Sequence, residues 1–147
     1  MLPTDPLPLH HSWPLYESGC RFEHGRLHDL EGGLATAAGL DGSWSFDFSD
    51  QALTWSRSVY ELFGMNPARS AIRSETVKLY GEESRAPMER LRSYAIRHRR
   101  GFTLDARITT LQGEKRWMRL IAAPVCQSGQ VMGLHGVKQD VTVEYGR

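Results

Sequence analysis

Cysteine is nearly missing from this chain: Cys20 and Cys126 are the only two, far apart and without metal-ligand spacing. A disulfide framework and a zinc-type ligand set are thereby excluded, and two reduced thiols fit a cytoplasmic setting. No apolar run approaches the ~20 residues of a membrane-spanning helix, so membrane insertion is not expected. The opening Met1-Leu-Pro-Thr-Asp-Pro has neither a cationic start nor an apolar stretch, so it does not read as a signal peptide. Charge of one sign is lacking too. With a formal net charge of +1, the bulk electrostatics call for neither nucleic acid nor an anionic membrane as partner. Also absent are a Gly-rich phosphate loop, a His-Glu-x-x-His helix and a nucleophile in a recognisable elbow, so no catalytic residues are assigned.

What is present centres on residues 101–142. Three long segments rich in β-branched and large apolar residues are separated by short turns at Gln112-Gly113 and Ser128-Gly129, which predicts an antiparallel meander. Upstream, Trp44, Phe46 and Phe48 alternate with Ser45 and Asp47, as along a half-buried strand. Ala52–Trp55 reads as a short returning strand. Ser56 is placed to cap a helix whose stripe is Val59, Tyr60, Leu62 and Phe63, and Gly64 ends it.

Asn66-Pro67 breaks the chain, and short helical turns are expected over 68–81. A longer helix is expected from a Ser84 cap to Arg100, with Met88, Leu91 and Ala95 inward and Arg90, Arg92, Arg97, Arg99 and Arg100 outward. Residues 1–24 hold four of the seven prolines and three of the six histidines, and read as an irregular lead-in without a metal site. Over 25–40, Leu27, Leu30, Leu34 and Ala38 share a helical face that Gly32-Gly33 weakens.

Several short pieces then fall in one order: Asp105-x-Arg107-Ile108, Gly113-Glu114, Arg116-Trp117, Pro124, and Gly136-x-x-Gln139-Asp140-Val141-Thr142. With the strand, short strand, Trp-Ser, helix and Phe-Gly run before them, they resemble a PAS domain. The likeness covers about residues 42–142 and fits the subgroup whose last strand ends in Asp-(Ile/Val)-Thr, the PAS fold-3 type.

The resemblance implies an α+β fold with a five-stranded antiparallel sheet in the order 2-1-5-4-3. Helices would lie on one face, and residues 25–40 would form an N-terminal capping and dimerisation helix. The domain itself would span 41–143, with a tail over 144–147. The sheet would curl around a cavity, and strand parity then selects its walls. Leu104, Ala106 and Ile108 would face inward, with Met118, Leu120 and Ala122, and with Leu134, Gly136 and Lys138. Tyr60, Phe63, Leu91 and Ala95 would close the cavity from the helices. Trp117 and Ile121 fall on the outer face, where the capping helix or a second subunit of a homodimer would dock.

Among flavin-binding members the residue after the Trp is an inward asparagine. Here it is Met118, opposite Ile108 and Ala106, which cannot satisfy ring amides worth about 1–3 kcal/mol per unmade hydrogen bond. Gly19-Cys20-Arg21-Phe22 resembles the flavin-adduct motif but lacks its Asn and Leu-Gln and lies ahead of the first strand. FAD is therefore disfavoured. Haem is disfavoured too, because His98 sits at the helix end among arginines and His135 has the outward parity.

Lys138 stands out. An inward ammonium needs a partner or water: it snorkels outward, pairs with a local carboxylate, or meets an anionic group of a small ligand. Asp140 and Thr142 would anchor the junction to an output helix, and the sequence ends five residues later. The resemblance thus implies a non-catalytic sensory module of signal transduction, as in two-component systems. It would bind a small molecule or mediate protein–protein interaction, with a kinase, cyclase or regulator domain in cis or trans. The alternatives are a structural dimerisation module with a self-filled core, a FAD- or haem-bound redox or gas sensor, and a small enzyme on an α+β fold.

Overall fold

The meander is the frame on which everything else hangs. The computed structural model describes residues 10–22 and 41–145. Its longest strands are β4 (Arg100–Thr109), β5 (Lys115–Gln127) and β6 (Gln130–Asp140), each antiparallel to the next. The β5–β6 turn places Ser128 and Gly129 at φ 51° and 80°, a left-handed pair suited to a tight hairpin. On the far side of β6 lies β2 (Ser43–Asp47), followed by β3 (Ala52–Trp55).

These five strands follow the expected order. A sixth does not appear in that expectation: β1 (His10–Pro14) pairs antiparallel with the free edge of β4, giving the order β1-β4-β5-β6-β2-β3. After a single 3-10 turn over Leu15–Glu17, the chain continues into the short helix α1 (Ser18–Phe22). Residues 10–22 are therefore not irregular. The docking is specific. Gly101 leaves room for the Trp13 ring, which a Cβ at that position would overlap, and the Trp13 indole donates to Thr103 Oγ1 at 3.0 Å. Arg100 also donates to Ser12 Oγ at 2.7 Å.

The helices lie on the other face. α2 (Arg57–Phe63) ends at Gly64 with φ 71°, and its last carbonyls, of Glu61 and Leu62, accept from the Arg116 guanidinium at 3.1 and 2.7 Å. After α3 (Arg73–Thr76) and a 3-10 turn over Val77–Leu79 comes α4 (Glu82–His98). It starts two residues before Ser84. Ser84 is buried, and its hydroxyl accepts from the Arg107 backbone N–H at 2.9 Å, so it ties the helix to β4 instead of capping it. α5 (Thr142–Tyr145) closes the described chain and spans the expected boundary between the domain and its tail at 143/144. Among the described residues no helix is long and apolar enough to cross a membrane.

Two apolar clusters sit on opposite faces of the sheet. The larger, under the helices, includes Phe63, Leu104, Ile108, Met118 and Leu134. Each large side chain so buried contributes roughly 1.5–3 kcal/mol. The smaller joins Trp13 and Phe22 to Ile121, Ala123 and Val137. Ile121 is thus covered by the chain's own residues, and Trp117 is half-buried beneath Tyr145, their rings stacked at 4.2 Å. The expected capping helix, with Leu27, Leu30, Leu34 and Ala38, lies outside the described residues.

Trp13→Ala is expected to destabilise the protein by about 3–5 kcal/mol in urea denaturation, the range for removing a buried large aromatic. A loss below about 1 kcal/mol would mean that residues 10–22 are dispensable to the fold.

Candidate functional site

β6 runs between β5 and β2, so the parity of its side chains is fixed from both sides. Gly136 is opposite Ala122 on one neighbour and Trp44 on the other, and a Cβ there would overlap the Ile121 carbonyl oxygen. Two residues on, Lys138 pairs with Leu120 and its backbone N–H donates to the Gly42 carbonyl at 2.8 Å. That register sends the lysine side chain under the helices, where the residue is only 8% exposed.

Four rings surround the ammonium. Lys138 Nζ lies 5.2 Å from the ring centroids of Trp44 and Trp55, 5.4 Å from Phe63 and 5.9 Å from Tyr80. The faces of such rings attract a cation. Trp55 and Phe63 stack on each other at 4.8 Å, which fixes two walls of the cage. Among the described residues no carboxylate forms an ion pair with Lys138. Burial pushes its ammonium down to about 7, and the Arg73 charge adds to that. The ring faces act in the opposite direction, so both protonation states are accessible near neutrality.

Beside the cage is a small cavity of about 50 Å³, walled by Trp44, Phe46, Tyr80, Leu120, Leu134 and Lys138, with Arg73 and Arg92 at its border. This is far below the ~300–1,000 Å³ of a drug-sized ligand site. Arg73 is held by a two-pronged contact to Glu89, both at 2.8 Å. Arg92 is not outward: its guanidinium lies 5.5 Å from the Phe46 ring centroid and 5.9 Å from that of Phe48. Burial, then Arg73, lowers its pKa, with Glu89 opposing. The buried indole N–H groups of Trp44 and Trp55 have no hydrogen-bond partner among the described residues. Three cations and one carboxylate already held by Arg73 make a site suited to an anion.

Of the residues assigned to the pocket from sequence, Leu120, Leu134 and Lys138 line the cavity, and Phe63 belongs to the cage. Ala95, Leu104, Ala106, Ile108, Met118 and Ala122 are on the same side of the sheet but pack as solid core. Tyr60 and Leu91 sit at its margin, and Gly136 is packed against β5. Arg73, Tyr80 and Arg92 were missed. Only the aromatic alternation of β2 pointed to Trp44 and Phe46.

A flavin does not fit the residues present. The positions that would face its ring amides are Met118 and Ile108, both buried and apolar, and the cavity is far smaller than a tricyclic ring system. Cys20 is exposed on α1, whose Phe22 packs on the opposite face of the sheet. Among the described residues haem finds no inward histidine. His98 is exposed beside Tyr94, and His135 stands on the outer face at 5.0 Å from the Phe22 ring, where burial lowers its pKa.

Past Lys138 the strand ends in a dense junction. Asp140 Oδ1 accepts from the Thr142 N–H at 2.9 Å, and Thr142 Oγ1 accepts from the Trp117 N–H at 2.9 Å. Buried Asp105 takes a two-pronged contact from Arg119 at 2.8 and 2.9 Å, and Arg119 also reaches Glu144 at 3.3 Å. The Tyr145 hydroxyl donates to Asp105, and its pKa rises to about 12 through burial and that hydrogen bond. Arg119 is raised as well, first by its hydrogen bonds to Asp105. α5 is thereby latched onto β5.

A base whose folded pKa lies below its unfolded value holds fewer protons folded than unfolded between the two. Its contribution to stability therefore rises with pH, here from about 7 towards the ordinary 10.5. Lys138→Met is accordingly expected to stabilise the protein at pH 6 by on the order of 2–4 kcal/mol, a gain that shrinks as the pH approaches 10. Chemical denaturation of both proteins across that range checks this. A difference independent of pH would show that the ammonium is not desolvated.

No protein-family model matches the chain, and no curated protein matches it. Solved structures do. An RNA-binding light-oxygen-voltage receptor, 15% identical, superposes over 72% of this chain with a TM-score of 0.64, and the chain spans 30% of that protein's length. The N-terminal domain of a diguanylate cyclase with PAS/PAC sensor from Marinobacter aquaeolei, 16% identical, gives 0.63 over 69% of this chain and 95% of that one. A sensory box histidine kinase/response regulator from Burkholderia thailandensis, 20% identical, gives 0.61 over 70% and 78%. At these identities the likeness is one of fold.

Proposed function

We propose that this chain, which has the fold of PAS domains, is a non-catalytic sensory module that binds a small anionic molecule beside Lys138 and relays its presence along β6. The observation that carries the reading is the caged ammonium itself. A buried cation without a carboxylate partner among the described residues, next to Arg73 and Arg92, is a site whose charge an anion would balance. The relay is short. Lys138 is two residues from Asp140, whose carboxylate holds the first turn of α5. An anion that draws Nζ out of its cage pulls on the strand that ends in that latch.

Relay requires the ligand to prefer one arrangement of β6 and α5 over another, because affinity alone shifts no equilibrium. The output partner would be a kinase, cyclase or regulator domain joined to the chain or docked on it. The outer face around the Trp117–Tyr145 stack would be the surface offered to it or to a second subunit. The cavity's size favours a ligand of a few heavy atoms over FAD or haem. The same size supports a second reading, in which the core is self-filled and the module serves only protein–protein interaction.

A thermal-shift panel of small carboxylates and oxyanions, with native mass spectrometry of the freshly purified protein, separates the two. Binding that disappears in Lys138→Met supports the sensor. No binding to either protein, together with a dimeric mass, favours the interaction module. The latch has its own test. Tyr145→Ala removes the ring stacked on Trp117 and the donor to Asp105, and is expected to speed amide exchange over 142–145 about tenfold, with β4–β6 unchanged.

A further inference from the structure

We propose that Lys138 is a reversible carbon dioxide site, its Nζ forming a carbamate inside the aromatic cage. The inference rests on the sensory reading of this pocket and gives it a neutral ligand that becomes an anion only on reaction with Nζ. Carbon dioxide is an apolar, linear triatomic. It enters an aromatic, water-poor space without shedding a hydration shell, whereas bicarbonate must be stripped of its water first. The cavity beside Lys138 is about 50 Å³. A water molecule's share of the liquid is about 30 Å³, so the space suits a guest of two or three heavy atoms. An aldehyde or ketone large enough to be distinctive would not fit without repacking Trp44, Phe46 or Tyr80.

The chemistry needs no co-reactant. The Nζ lone pair of the neutral amine attacks the carbon of carbon dioxide and forms a C–N bond. One C=O π pair moves onto oxygen, and a proton leaves nitrogen for water, giving Lys–NH–COO⁻. The reaction reverses when the proton returns to nitrogen and the C–N bond breaks. Burial keeps a share of neutral amine available near neutral pH.

The product is an anion, which the ring faces around Nζ do not stabilise, so its charge would be met by the cations that border the cavity, Arg73 and Arg92. Arg73 on α3, Arg92 on α4 and the Tyr80 phenol line the cavity with Lys138, Glu89 on α4 holds Arg73, and the rings that face Nζ from β2, β3 and α2 are Trp44, Trp55 and Phe63. Glu89 is already committed to Arg73, which leaves the Arg92 guanidinium as the countercharge. Of the two indoles, that of Trp44 lines the cavity, and its N–H has no hydrogen-bond partner among the described residues. Modification would thus reverse the charge at the centre of the sheet, two residues from the Asp140–Thr142 junction.

The chain has three lysines, and the other two, Lys78 and Lys115, are exposed, so they serve as internal standards. The full chain is equilibrated with ¹³C-labelled bicarbonate and carbon dioxide at pH 7.5, carbamates are trapped with triethyloxonium, and peptides are mapped by mass spectrometry. The N-terminal amine provides the positive control for trapping. The expected result is ethoxycarbonyl label at Lys138 at least tenfold above Lys78 and Lys115, a matching carbamate ¹³C resonance absent from Lys138→Arg, and about tenfold lower label in Arg92→Gln. Label at the N-terminus or the exposed lysines without label at Lys138 overturns the proposal. If carboxylates still bind in a Lys138-dependent way, the anion-sensor reading survives that failure; if they do not, both fall.

Discussion

The parity of β6 governs this molecule. Hydrogen-bonded on both edges, by β5 and β2, the strand cannot slip by one residue without exchanging every inward side chain for an outward one. Gly136 reinforces the lock, since the approach of β5 leaves no room for a Cβ. From that single register follow Leu134 in the core, His135 on the outer face, Val137 in the second cluster and Lys138 in the cage. A lysine at an inward position is a sequence choice that the fold then cannot undo.

What the fold does instead is surround the charge with polarisable surface. Trp44, Trp55 and Phe63 come from three elements and Tyr80 from the segment before α4, yet all four rings converge on one nitrogen. Ring faces recover part of the hydration an ammonium loses, but they do not neutralise it. The neighbourhood therefore holds an unbalanced positive charge within the most buried part of the domain. Function, in this reading, occupies the place where the core is least satisfied.

Much of the architecture was legible in the sequence, and the reason is periodicity. The two glycine turns between apolar segments gave the meander, and Trp44/Phe46 alternation gave the edge hairpin and its inward face. β1 escaped because a five-residue strand with one buried tryptophan and a proline carries no period, and its partner lies some ninety residues away. Arg92 was misjudged for a different reason. Arginine on a helix usually marks the solvent side, but its long stem lets the guanidinium lie flat on Phe46 and Phe48. Arg73 opens a four-residue helix and Tyr80 follows a single 3-10 turn, segments too short for a periodic pattern to report which way a side chain turns.

β1 has a further consequence. An unpaired sheet border is an invitation for another chain to add itself by backbone hydrogen bonds. Here His10–Pro14 occupies the border of β4, and the opposite border is β3, only four residues long. Both ends of the sheet are thus poor templates for strand addition, and association of this domain with itself or with another protein is steered away from β-augmentation and onto its side-chain surfaces.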